Sequence, residues 1–133
     1  MDSPKSAYRA VTRQIEVQVT PRFLPDKSSP ENGYFFWAYT INVANLGGET
    51  VQLKTRHWRI TDAQGRLQEV RGPGVVGNQP VLGPTQSFKY TSGCPLTTPF
   101  GSMHGTYQMV RADGSEFDAT IAPFALVLPY SLN

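Results

Sequence analysis

Hydrophobic and polar positions alternate with a period of two along much of the chain, the pattern of half-buried β-strands. Ile15, Val17 and Val19 alternate with Gln14, Glu16, Gln18 and Thr20. Phe35, Trp37, Tyr39, Ile41 and Val43 project to one side of a second run, and the smaller Phe36, Ala38, Thr40, Asn42 and Ala44 set to the other. The longest stretch free of Gly and Pro lies between Gly48 and Gly65, and its Val, Thr, Ile and Trp content makes it a strand rather than a helix. Further strands are predicted around Arg66–Val70, over Gln86–Ser92 with Phe88 and Tyr90 on one face, over Met103–Val110 and over Glu116–Ile121. Ala122–Leu128 is apolar, and Pro123 confines its start to an edge or a bulge.

Turn residues separate these runs. Pro25–Gly33 reads as a polar loop, and Asn45-Leu46-Gly47-Gly48 as a short hairpin connection. Asp62–Gly65 and Asp113-Gly114 carry hairpin signals, while Gly72–Pro84 and Ser92–Gly101 read as loops. The first dozen residues, and above all 1–8, are expected to fray, as are the last few. Seven or eight strands without intervening helices give an all-β fold. The expected architecture is an antiparallel sandwich of the immunoglobulin or fibronectin type III kind, with a small barrel as the alternative. The 133 residues make one domain, and Gly 12 with Pro 11 is too few for a Pro/Gly-rich disordered chain.

Charge and cysteine content narrow the function classes. The formal charge is only +2, and the basic residues are scattered, with Lys54, Arg56 and Arg59 the tightest group, so nucleic acid is not an expected partner. A single cysteine, Cys94, forms no internal disulfide and suits a reducing compartment. Met1–Arg9 has no leader-peptide character, and no apolar run is long enough to span a bilayer, so a cytoplasmic protein without membrane insertion is expected.

Chemistry-bearing residues are sparse. Gly72-Pro73-Gly74-Val75-Val76-Gly77 matches G-x-G-x-x-G, which in a dinucleotide fold opens a helix; here Asn78–Pro84 follows and forms none. The segment is a glycine-rich turn, or a nest of backbone amides for an anion beside Arg71. His57 and His104 do not make a metal-ligand pair by spacing, and Asp113, Glu116 and Asp118 around one hairpin are the candidates for a cation. Ser92, Cys94 and His104 lack a nucleophile-elbow signature, so no catalytic residue and no cofactor is predicted. The aromatic residues are numerous. Most belong to a core, and His57-Trp58 and Tyr90 are candidates for an exposed partner site.

A longer pattern joins these pieces. Arg56-His57-Trp58-Arg59-Ile60-Thr61-Asp62 is followed by Gly65, and Val70-Arg71 leads through the glycine motif to Asn78-Gln79-Pro80. Phe88-Lys89-Tyr90-Thr91-Ser92 and Gly101-Ser102-Met103-His104-Gly105-Thr106-Tyr107-Gln108-Met109 come after them. In this order the residues closely resemble the ApaG domain family from Tyr8 to Pro129. The resemblance implies a fibronectin-type-III-like sandwich and no catalytic residues. It implies a stand-alone cytoplasmic protein of a kind associated with cobalt tolerance and magnesium efflux by an unestablished route. Related eukaryotic domains, attached to F-box proteins and to a polymerase-delta-interacting protein, look like protein-interaction modules. Gly83-Pro84-Thr85 departs from the family pattern, in which the order Pro-Gly is commoner.

The expected function is therefore a binding module for an unidentified protein partner. Its site would combine Arg56, Trp58, Arg71, Gly72, Gly74, Gly77, Gln79 and Tyr90. The alternatives are pyrophosphate or small-anion binding at Gly72–Gly77 and direct divalent-cation binding; edge strands also allow a homodimer.

Overall fold

The structure, a computed structural model, describes residues 8–129. Among these residues nine strands run in chain order: β1 (Tyr8–Thr12), β2 (Ile15–Phe23), β3 (Phe35–Asn45), β4 (Val51–Asp62), β5 (Leu67–Pro73), β6 (Val81–Leu82), β7 (Ser87–Leu96), β8 (Gly101–Arg111) and β9 (Glu116–Leu126). Two short 3-10 turns, Pro25–Lys27 and Pro30–Asn32, occupy the polar loop after β2. One sheet has the order β1-β2-β3-β7, and the other β5-β4-β8-β9 with β6 paired to β4. Every pairing is antiparallel. The fold is the expected sandwich rather than a closed barrel.

Large residues from both sheets meet between them. Trp37, Ile41, Leu53, Met103, Tyr107 and Phe124 are among the largest fully buried side chains. β3 alternates buried and half-buried positions along its whole length, as its sequence predicts for an inner strand of one sheet. Trp58 stands at the centre of an aromatic cluster, with ring centroids 5.3 Å from Tyr39, 5.9 Å from Phe124 and 6.4 Å from Tyr107. Tyr39 belongs to one sheet and the other three residues to the second, so the cluster ties the layers together. Room for Trp58 comes from its cross-strand partner on β8, Gly105.

Several sequence expectations are corrected. Asn45–Gly48 is not a hairpin, because β3 and β4 lie in different sheets. Asn45 is a buried polar residue that organises this crossover. Its amide donates to the carbonyls of Glu49 (2.7 Å) and Leu82 (3.0 Å), and its side-chain oxygen accepts from Gly47 N–H (2.9 Å). Tyr8–Thr12, expected to fray, pairs with β2 through a two-residue turn of Arg13 and Gln14, both at positive φ. Residues 1–7 and 130–133, part of the same expectation, lie outside the described residues. Ser92–Leu96 extends β7 instead of forming a loop. Gly93 receives the Phe36 ring, and Pro95 is tolerated because β7 is an edge strand. Within Gly72–Pro84, β5 reaches Pro73 and β6 adds a short pairing; β1 and β6 bring the count among the described residues to nine, and the apolar segment from Ala122 continues β9 as far as Leu126. Asp62–Gly65 and Asp113-Gly114 do form hairpins, and Pro123 falls at a register shift of β9, itself an edge strand.

The departure at Gly83-Pro84-Thr85 has a conformational consequence. Gln86 N–H donates to Gly83 C=O at 3.0 Å, and Thr85 has φ 71°. This is a type II turn with Pro at its second position and a β-branched residue where glycine is relaxed. Thr85→Gly removes a left-handed penalty of about 1–2 kcal/mol and adds about 0.5–1 kcal/mol of unfolded-chain freedom. Thermal unfolding should show a net gain of about 0.5–1 kcal/mol. A lower midpoint would show that the Thr85 side chain contributes more than its backbone costs.

Candidate functional site

The candidate loop is built on the β4–β5 hairpin. A register shift at Lys54 separates the two halves of β4. Beyond it Arg56, Trp58 and Ile60 face the sandwich interior, paired with Gly72, Val70 and Gln68 of β5, while His57 and Arg59 face outward. β5 then runs into a tight turn. Val75 N–H donates to Asn78 C=O and Asn78 N–H to Val75 C=O, each at 2.8 Å, and Val76 and Gly77 between them have φ 40° and 82°. This is the two-residue geometry with positive φ at both central positions.

The glycines of the motif have identifiable structural reasons. A methyl on Gly72 would stand 3.0 Å from the Arg56 guanidinium, and one on Gly74 2.2 Å from the carbonyl oxygen of Asn78. Gly74 and Gly77 also have positive φ. The amides of Gly74 and Val75 donate within the fold, to Lys54 and Asn78. They are therefore occupied, unlike the donors of an open anion nest. Arg56 Nη1 donates to the carbonyls of Pro73 and Gly74, both at 3.0 Å, and clamps the turn to β4. Gln79 donates to Lys54 C=O at 2.9 Å and accepts on its own carbonyl from Gln52 at 3.0 Å. Arg56 and Gln79 thus hold the loop in place. Val75, 1% exposed, anchors it to the core, and Val76 and Val81, 55% and 58% exposed, project from it.

Trp58 is 3% exposed and Tyr90 8%, which corrects the expectation that they present an aromatic patch. Their rings complete the core, and the Tyr90 hydroxyl bonds that of Tyr107. Burial raises the Tyr107 phenol well above its ordinary range. Arg71, by contrast, has a 71% exposed side chain on the outer face. There Glu69 meets His57 (2.7 Å), Arg71 (3.4 Å) and Arg59 (3.9 Å), and the His57 bond helps hold its carboxyl below the usual range.

The remaining candidates are not assembled into sites. Asp113 bonds Ser115 N–H and Oγ, which lowers its carboxyl and fixes the β8–β9 turn. Glu116 accepts from Gln108, and Asp118 lies opposite the same Gln108 in register. Among the described residues, no three His, Cys, Asp or Glu side chains are close enough to hold a metal ion. Ser92 and Cys94 line the interior side of β7 in the first sheet, and His104 is on β8 of the second. Burial pushes the Cys94 thiol up to about 11, opposite to what thiolate chemistry requires. No helix among the described residues is long and apolar enough to cross a membrane.

Val76 and Val81 are exposed apolar residues beside the loop that the sequence reading did not single out. Val76 is the first central residue of the I′ turn, and a valine there gives no glycine signal in the sequence.

The ApaG domain profile matches residues 25–111. Protein ApaG of Afipia carboxidovorans is 62% identical over 122 residues, covering 92% of this chain and 94% of that protein. Protein ApaG of Methylobacterium sp. strain 4-46 is 58% identical over 123 residues, covering 92% and 95%. The crystal structure of a protein labelled ApaA from Bordetella pertussis superimposes with a TM-score of 0.85 at 50% identity, covering 86% of this chain and 94% of that one. With the sandwich and the ordered motif in agreement with these relatives, the chain belongs to the ApaG domain family.

Proposed function

We propose that this chain is a non-enzymatic binding module of the cytoplasm that docks a protein partner on the Gly74–Pro80 turn. The observation that carries this reading is Val76. It is exposed, apolar and β-branched, yet it is held at φ 40° at the tip of the loop. A β-branched residue in the left-handed region is strained, and such strain persists where surrounding contacts enforce it and concentrates at functional positions. Here the Arg56 clamp, the Gln79 bonds and the Val75 anchor enforce it. A loop pre-organised in this way loses little conformational freedom on binding. Val81 and Arg71 flank the tip and supply further apolar and cationic contact. An association with cobalt tolerance and magnesium efflux then runs through the partner, a transporter or regulator, rather than through an ion on this chain.

Quantitative affinity capture from bacterial lysate, comparing the wild type with Val76→Asp and Val76→Gly, tests this. The wild type should retain a specific partner that Val76→Asp loses. Val76→Gly should bind more weakly while unfolding at a higher temperature, by about 0.5–1 kcal/mol, because the turn is relaxed. Capture that is indifferent to both changes would remove the turn from the interface.

A further inference from the structure

The two long sides of the sandwich differ. On one side β9 packs over β1 and β2, and Thr120 N–H donates to Thr12 Oγ1 at 3.0 Å. On the other side, the edge strands β5 and β7 border a cleft of about 240 Å³ that leads between the sheets. Its apolar walls are Trp58, Tyr39, Met103, Ile60 and Val70, and polar residues share the lining with them. The polar groups that reach it are the Arg56 guanidinium, the Ser92 hydroxyl and the Gln68 amide, together with the phenol of Tyr39. Arg56 is the one charged residue in this lining.

The electrostatics of the cleft are one-sided. Both hydrogen bonds of Arg56 use Nη1 and end on backbone carbonyls, and among the described residues no carboxylate pairs with it. A half-buried cation without a counter-ion favours any anion that reaches it from a less polar side. Burial raises the Tyr39 phenol above its ordinary range; Tyr39 lies opposite Ser92 in register and within the field of Arg56. Burial raises the Cys94 thiol in the same way. The cleft therefore offers donors and a positive charge beside the Trp58 and Tyr39 rings, with no acidic side chain in its lining.

We infer that the β5–β7 cleft binds a small monocarboxylic acid with an aromatic or branched apolar body, its carboxylate on Arg56 and its body against Trp58 and Tyr39. The size agrees, since an apolar cavity of about 150 Å³ accepts benzene and the extra volume here accommodates a carboxylate. The site is separate from the Gly74–Pro80 tip, so its failure and that of the docking reading are distinguishable. A small acid there would stand beside the Arg56 clamp that sets the loop's position.

The test is a titration of isotope-labelled protein with sodium benzoate, using benzamide as the neutral counterpart of the same shape. Benzoate should move the indole N–H signal of Trp58 saturably. That of Trp37, which donates to Val127 C=O at 2.9 Å, should stay in place. Benzamide should bind about tenfold more weakly or worse, and Arg56→Gln should cost benzoate a similar factor. Because Arg56 also clamps the loop, Val70→Phe provides an independent variant. It fills the cleft from β5, leaves Arg56 and the turn intact, and should abolish the benzoate response. No saturable Trp58 shift, equal responses to benzoate and benzamide, or full binding by Val70→Phe would each overturn the assignment.

Discussion

Gly105→Ala should prevent this protein from reaching its native sandwich, although it adds a single methyl group. The new carbon would lie 2.0 Å from the carbonyl oxygen of His57 and 3.2 Å from the Cα of Trp58. Both are backbone atoms of β4, so no side-chain rotation relieves the overlap. β4 and β8 form six further residue pairs on one side of this point and four on the other, and they make the centre of their sheet. Relief therefore requires the two strands to separate. Overpacking that side chains can absorb costs about 1–3 kcal/mol; a rigid backbone contact lies beyond that, against a total stability of about 5–15 kcal/mol. Circular dichroism and thermal unfolding should show an unfolded protein, or a midpoint lower by about 10 °C or more. Gly48→Ala is the matched control. A methyl there meets nothing within 4 Å, and its effect should stay within about 0.5–1 kcal/mol. A native midpoint for Gly105→Ala would mean that β4 and β8 are farther apart than described.

The same strand shows where the sequence is legible and where it is not. β3 needs no structure to be read, since its alternation is unbroken and each inward residue is large. β4 alternates too, but the register shift at Lys54 changes its parity. Val51 and Leu53 face inward, then Thr55 is exposed and Arg56, Trp58 and Ile60 face inward. A single inserted residue moves every later side chain to the opposite face, and nothing in QLKTRHW announces the insertion. The shift is what turns Trp58 inward, and the number of aromatic residues alone gives no means of telling it from a contact. The Arg13–Gln14 turn is hidden similarly, because two residues with side chains occupy positions where glycine or asparagine would mark a hairpin. Asn45–Gly48 misleads in the other direction: its glycines mark a turn, but sequence does not reveal that the turn crosses between sheets. Of the candidate loop, the glycine turn and the residues Arg56 and Gln79 that hold it stand together in the motif, and Arg71 beside them is exposed. The opposed roles of Trp58 inside and Val76 outside follow only from the paired register.

Trp58→Ala follows from that register as the second large effect. The ring contacts Tyr39 across the sandwich and Phe124 and Tyr107 within its own sheet, all in an edge-on or tilted manner favoured by ring quadrupoles. Truncation leaves a cavity at the point where the sheets are joined, beside a glycine that offers no side chain to fill it. The expected loss is about 3–5 kcal/mol, a large part of the stability of a domain of this size. Urea unfolding should place the midpoint well below that of the wild type, and Trp58→Phe should recover more than half of the difference. Any loss of partner capture by Trp58→Ala would then report unfolding, so Val76→Asp, whose side chain projects into solvent, is the variant that isolates binding. An unchanged midpoint for Trp58→Ala accompanied by lost capture would instead place the indole at the interface and return the aromatic-patch reading to contention.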